Sequence, residues 1–160
     1  MSAGGACYKA RMVDRDLECV YCAGSGGRVV YEDGRARVVV ADEPFAGFCR
    51  VIWKAHVREM TDLAPDDRTH VMNLVFAAEA ALRALLRPDK INLASFGNLV
   101  THVHWHVIPR FTDDSHFPQP VWGPRQRDAA ARPLPPGFEA ALASRLATAL
   151  GARADAMSMP

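Results

Sequence analysis

The chain has 160 residues, 19 Lys and Arg against 18 Asp and Glu for a formal charge of +1, and 49% hydrophobic residues. That length suits one domain, and 23% charged residues beside so large an apolar fraction exclude wholesale disorder. The near-zero charge argues against a nucleic-acid binder, which carries a basic face to neutralise several phosphates.

Residues 1–18 read as an N-terminal extension containing Cys7. It lacks the basic start, apolar core and cleavage site of a secretory signal, so the expected compartment is the cytosol. Cys19 and Cys22 follow as a close pair. In a reducing compartment they read as metal ligands, a redox couple or inert thiols. A redox pair would open a helix after a strand, whereas this one runs into the turn residues Ala23–Gly27. Two β-rich segments, Arg28–Tyr31 and Arg35–Val40, flank an Asp33-Gly34 hairpin signal, and a third strand is expected at Cys49–Trp53.

From Pro65 to Arg87 the period changes. Val71, Leu74, Val75, Ala78, Leu82 and Leu85 recur three or four apart, which predicts a helix with Pro65, Asp66 and Asp67 at its start and Pro88 as its stop. Val71 to Leu86 is the most apolar stretch, but Glu79 and Arg83 interrupt it, so no membrane association is expected. His70 falls on the polar side and is expected in solvent. Strands at Ile91–Phe96 and Val100–Ile108, joined through Gly97-Asn98, complete an α+β arrangement built on an antiparallel β-sheet and one long helix. Beyond Pro109 the chain turns proline- and arginine-rich, which predicts a surface wrap over Phe111–Gly137. A C-terminal helix then runs from Phe138 to about Leu150, ending at Gly151.

The chemistry concentrates in Thr101-His102-Val103-His104-Trp105-His106-Val107-Ile108-Pro109-Arg110. Strand side chains alternate faces, so His102, His104 and His106 project together while Val103, Trp105 and Val107 oppose them. Half of the chain's six histidines stand within these five residues, and packing gives no reason for it. Spread over roughly 13 Å at ~3.3 Å per residue, three same-face ligands do not easily converge on one ion. A neutral imidazole that attacks an electrophile, with neighbours to orient it, uses such a spread better.

This His-x-His-x-His pattern followed by Pro109-Arg110 resembles the histidine triad (HIT) superfamily of nucleotide hydrolases and transferases, in the branch whose motif ends in Pro-Arg. The resemblance extends over residues 19 to 110. It includes Cys19-x-x-Cys22, the Lys54-x-His56 strand end, Met60-Thr61-Asp62-Leu63 and the long helix, so that 19–112 would be the HIT domain and 113–160 the wrap, helix and tail. It implies an α+β fold joined into a two-fold homodimer, with a purine nucleotide as substrate. It further implies that His104 is a nucleophile at an α-phosphorus, oriented by the backbone carbonyl of His102, and that His106 assists the phosphate or leaving group. Asn98, Asp42, Asn92 and Arg110 are the implied substrate contacts. Hydrolysis of a dinucleoside polyphosphate or nucleoside phosphoramidate is the expected activity, with nucleotidyl transfer or nucleotide-dependent interaction as alternatives. Zinc-bearing members imply a structural zinc on Cys19, Cys22, His56 and His102, and no organic cofactor. His116 and Trp122 lie in the wrap, which in relatives folds back toward the phosphate site.

Overall fold

The computed structural model describes residues 16–157, and Cys7 lies outside them. Strands β1 (Arg28–Glu32), β2 (Ala36–Val40), β3 (Cys49–Trp53), β4 (Lys90–Ala94) and β5 (His104–Arg110) form one antiparallel sheet in the order β1-β2-β3-β5-β4. A one-turn helix α1 (Val20–Ala23) precedes β1, α2 (Pro65–Leu86) joins β3 to β4, and α3 (Phe138–Met157) follows the wrap. The α+β reading of the sequence holds.

Alternation along the strands divides the sheet into two unlike faces. Ala36, Val38 and Val40 of β2, Val51 and Trp53 of β3 and Val107 of β5 enter the main core, where α2 places Val71, Leu74, Val75, Ala78 and Leu82, and α3 places Phe138, Leu142 and Leu146. Pro65 occupies the first turn of α2 with Asp66 and Asp67, and Arg87 closes it in the left-handed conformation at φ 48°. By length and composition this helix is apolar enough to cross a bilayer, despite Glu79 and Arg83. Its buried face in the shared core is that of a core helix.

The opposite face carries the histidines and is roofed by the segment around α1. Arg37, buried on β2, donates from Nη2 to the carbonyls of Tyr21 (2.6 Å) and Gly24 (2.8 Å) and from Nε to that of Ser25 (2.8 Å). Gly27, at φ 153°, passes so close to β2 that a Cβ would meet the Val40 carbonyl oxygen at 2.4 Å. Tyr21 and Cys19 pack there on Val39 and Ile52.

Three expectations need correction. The strand expected at Val100–Ile108 begins only at His104, because the His102 N–H turns back to the Val100 carbonyl (2.9 Å) and leaves the ladder. The last helix does not stop at Gly151 but continues to Met157. His70 is not in solvent: its Nε2 meets Asp33 Oδ2 at 2.8 Å and its Nδ1 faces Arg35 Nη2 at 2.8 Å, because the β1–β2 turn folds against α2. The wrap carries no helix or strand over 111–137 but is tied down. The Asp114 carboxylate accepts from Arg110 and from the N–H groups of His116 and Phe117, while Arg127 Nη1 donates to the Asp114 and Phe117 carbonyls.

Replacing Arg37 by Met leaves those roof carbonyls without their buried donor. The expected cost is about 3 kcal/mol from the denaturation midpoint, with hydrogen-exchange protection lost first over residues 20–27. Unchanged exchange there would contradict this role for Arg37.

Candidate active site

Cys19 Sγ lies 3.5 Å from His102 Nδ1, and Cys22 Sγ lies 3.6 Å from the same nitrogen and 3.4 Å from His56 Nδ1. All four donor atoms fall within 4.8 Å of one another. A tetrahedral ion with metal–sulfur bonds near 2.3 Å and metal–nitrogen bonds near 2.05 Å needs sulfur–nitrogen edges of about 3.6 Å, so the donor set fits a closed four-ligand metal site. His102 Nε2 donates to the Trp53 carbonyl at 2.6 Å, which fixes the tautomer and leaves Nδ1 as a lone pair toward the sulfurs. The described cysteines are free. Burial pushes the Cys22 thiol up from its usual range, and pushes the Cys49 thiol, packed inside β3, up to about 12.

One turn of backbone separates this cluster from the second group. His104 Nδ1 lies 2.6 Å from the His102 carbonyl, and since a carbonyl only accepts, Nδ1 carries the hydrogen and Nε2 the free lone pair. Ser95 Oγ donates to the carbonyl of His104 itself (2.8 Å), steadying the start of β5. The His104 and His106 rings stand edge to face at 4.8 Å, and Tyr21 presents an edge to His104 at 4.9 Å. Burial holds the pKa of His104 below the ordinary histidine value, with Arg50 adding to the effect and the bond to His102 opposing it. Burial, then the charges of His104 and Arg50, take His106 down to about 3. Both rings are therefore neutral near pH 7.

His104 and His106 face a cavity of about 490 Å³, whose wall also includes Tyr21, Glu43, Arg50, Asn98 and Trp122. Among the expected contacts, only Asn98 reaches it. The other three lie outside its wall. Arg110 is buried and spends its guanidinium on Asp114, the Gln119 carbonyl and Asn92 Oδ1, so Arg110 and Asn92 brace each other and the wrap, outside the cavity lining. Asp42 is exposed at the end of β2, and the carboxylate in the cavity wall belongs to its neighbour Glu43. Of the two wrap residues, Trp122 stands edge-on to His106 at 5.0 Å, whereas His116 bonds Ser115 and packs on Phe45. Tyr21 lies within the Cys19–Cys22 segment and Arg50 on the strand that leads to Lys54-x-His56, with Glu43 in the loop between, but no spacing along the chain assigns these three to one wall.

The sequence profile of the HIT domain matches residues 25–113, more than half of the chain, which therefore belongs to the histidine triad (HIT) family. The fold is similar to that of a histidine triad protein from Bradyrhizobium japonicum, at 24% identity over 76% of this chain and 92% of that one, with a TM-score of 0.63. A histidine triad protein from Sinorhizobium meliloti is 25% identical over 78% and 90% of the two chains, with a TM-score of 0.61. A zinc-bound histidine triad family protein from Mycobacterium smegmatis is 26% identical over 85% and 98%, with a TM-score of 0.59. No curated protein matches the chain.

The depressed His106 pKa has a signed consequence for stability. Above about pH 6.5 the ring is neutral folded and unfolded; between there and about 3 the unfolded chain takes a proton that the folded one refuses. Urea unfolding should therefore show stability falling on acidification through that window, by at most about 1.4 kcal/mol per pH unit from this group. His106→Gln should flatten the decline; an equal slope in both proteins would show that His106 does not drive it.

Proposed function

We propose that the protein is a nucleotide hydrolase that forms a covalent nucleotidyl intermediate on His104. The single observation that carries this reading is the hydrogen bond from His104 Nδ1 to the His102 carbonyl, which leaves a neutral, oriented Nε2 at the cavity wall beside His106. The Nε2 lone pair attacks the α-phosphorus of a purine nucleotide, and the bond from phosphorus to the leaving group breaks, its electron pair departing with that group. The imidazole, now cationic, is stabilised through Nδ1–H by the fixed carbonyl. His106 assists the developing phosphate charge or the leaving group. Water then attacks phosphorus and loses a proton, and the P–N electron pair returns to Nε2 as the nucleotide is released. The aromatic faces of Phe96 and Trp122, 59% and 52% exposed at the cavity mouth, offer stacking surface for a planar base. A dinucleoside polyphosphate or a nucleoside phosphoramidate suits this chemistry, and the reducing cytosol suits the free thiols.

Cys19, Cys22, His56 and His102 hold a structural zinc on this reading, supported by the fit of the donor spacing and by the zinc-bound relative from Mycobacterium smegmatis. A four-ligand site leaves no open position, so the ion staples the α1 roof beside β5 and takes no part in the reaction. A second copy of the chain is the further partner: β4 is one of the two sheet edges, paired only with β5 among the described strands, and a two-fold homodimer would cover it.

Acid-quenched intact mass spectra with diadenosine tetraphosphate and with adenosine phosphoramidate test the nucleophile. The wild type should gain one adenylyl group transiently and His104→Ala none, at similar nucleotide affinity; comparable turnover by the mutant would sink the assignment. Cys22→Ser should lower both zinc content and melting temperature, the latter by several degrees. Purified wild type with no bound zinc would end the metal proposal.

A further inference from the structure

We propose that Arg50 is the phosphate-binding residue of the cavity and that the Glu43 carboxylate occupies its guanidinium until the phosphate of a nucleotide displaces it. This rests on the nucleotide reading above and names the residue that would grip the substrate's charge.

Arg50 stands directly opposite His106 in the β3–β5 register, so both side chains rise from the same sheet face, and both line the cavity. A cation there needs a physical reason, because its side chain is only 16% exposed and its cross-strand partners are Val39 and the imidazole of His106. The reason is not complete pairing. Of five N–H groups, one donates from Nη1 to the Gly26 carbonyl at a long 3.2 Å and one from Nη2 to Glu43, while the buried Nε has no partner among the described residues. A structural strut would be expected to spend its donors as Arg37 and Arg110 do. The Phe48 ring, 5.4 Å from Cζ, lies beneath the guanidinium and itself packs edge-on against His106 at 5.5 Å, which fixes the fork beside the histidine pair.

Glu43 is the weaker partner of the exchange. Its side chain is 34% exposed, it sits in the loop after β2 rather than on a strand, and the carboxylate bears a single charge. A phosphate monoester brings more charge and three oxygens that match the guanidinium fork, so it competes well for Arg50. Once released, Glu43 faces solvent at the cavity wall.

Calorimetric titration of AMP and of adenosine into the full-length wild type, Arg50→Gln, Arg50→Lys and Glu43→Gln tests this. The wild type should prefer AMP to adenosine. Arg50→Gln should lose about 10- to 100-fold in AMP affinity with adenosine affinity unchanged, Arg50→Lys should keep part of the preference, and Glu43→Gln should bind AMP more tightly than the wild type. Equal wild-type affinities for AMP and adenosine, an unchanged preference in Arg50→Gln, or a parallel loss of adenosine binding there would overturn the role of Arg50. AMP affinity that stays level or falls in Glu43→Gln would overturn the exchange. Should Arg50→Gln fail to fold, Arg50→Lys and Glu43→Gln decide the matter alone. A wild type that binds neither ligand would defeat the nucleotide reading itself, an outcome distinct from all of these.

Discussion

The bond between the His104 ring and the His102 carbonyl depends on a small departure from regular structure. At His102 the backbone leaves the β-ladder through its turn to Val100, and that departure lets one residue face two ways. Its side chain meets the two cysteines and His56, while its carbonyl meets the next histidine on the strand. Had the strand continued in register, the carbonyl would have been committed to a neighbouring strand, and His104 would have lost the acceptor that fixes its tautomer. The metal-type cluster and the His104–His106 pair therefore meet at a single residue.

The roof over this face supplies the rest of the environment. Arg37 and Gly27 press the segment around α1 onto β2, and Tyr21 is thereby held against both His102 and His104. Covered imidazoles lose hydration, and the lost hydration is what keeps them uncharged. Polar residues enter the cavity from separate parts of the chain: Arg50 from β3, Glu43 from the loop before it and Asn98 from the loop before β5.

Much of this was legible in the residues themselves. β-Branched runs beside the Asp33-Gly34 turn mark β1 and β2, β3 is bounded as expected at Cys49 and Trp53, and the three-to-four spacing marks α2. The four cluster residues emerged from a family resemblance, which relates positions that spacing alone cannot bring together across the chain. Nearness to a motif in sequence does not place a side chain in the cavity wall. Arg110 and Asn92 adjoin the motif strand, yet a buried network binds them to each other, and Asp42 stands exposed two residues beyond β2 while its neighbour Glu43 enters the wall. Period-two patterning is equally blind to a backbone turn that preserves alternation, which is why β5 was expected to start too early. Arg50 and Trp122 carry no periodic signal, and only folding sets them beside His106.

The spacing of the sulfur and nitrogen donors also bears on how the chain folds. Cys19 and His102 are 83 positions apart, so the proposed ion between them would close a ring that contains α1, the first three strands, α2 and β4. By the chain-entropy argument used for disulfides, a closure of that size removes about 4–5 kcal/mol of freedom from the unfolded ensemble. Unlike a disulfide, such a closure would form without an oxidant and reopen on withdrawal of the metal. The availability of a trace element would then set the lifetime of the folded chain, although no step of the proposed reaction passes through it.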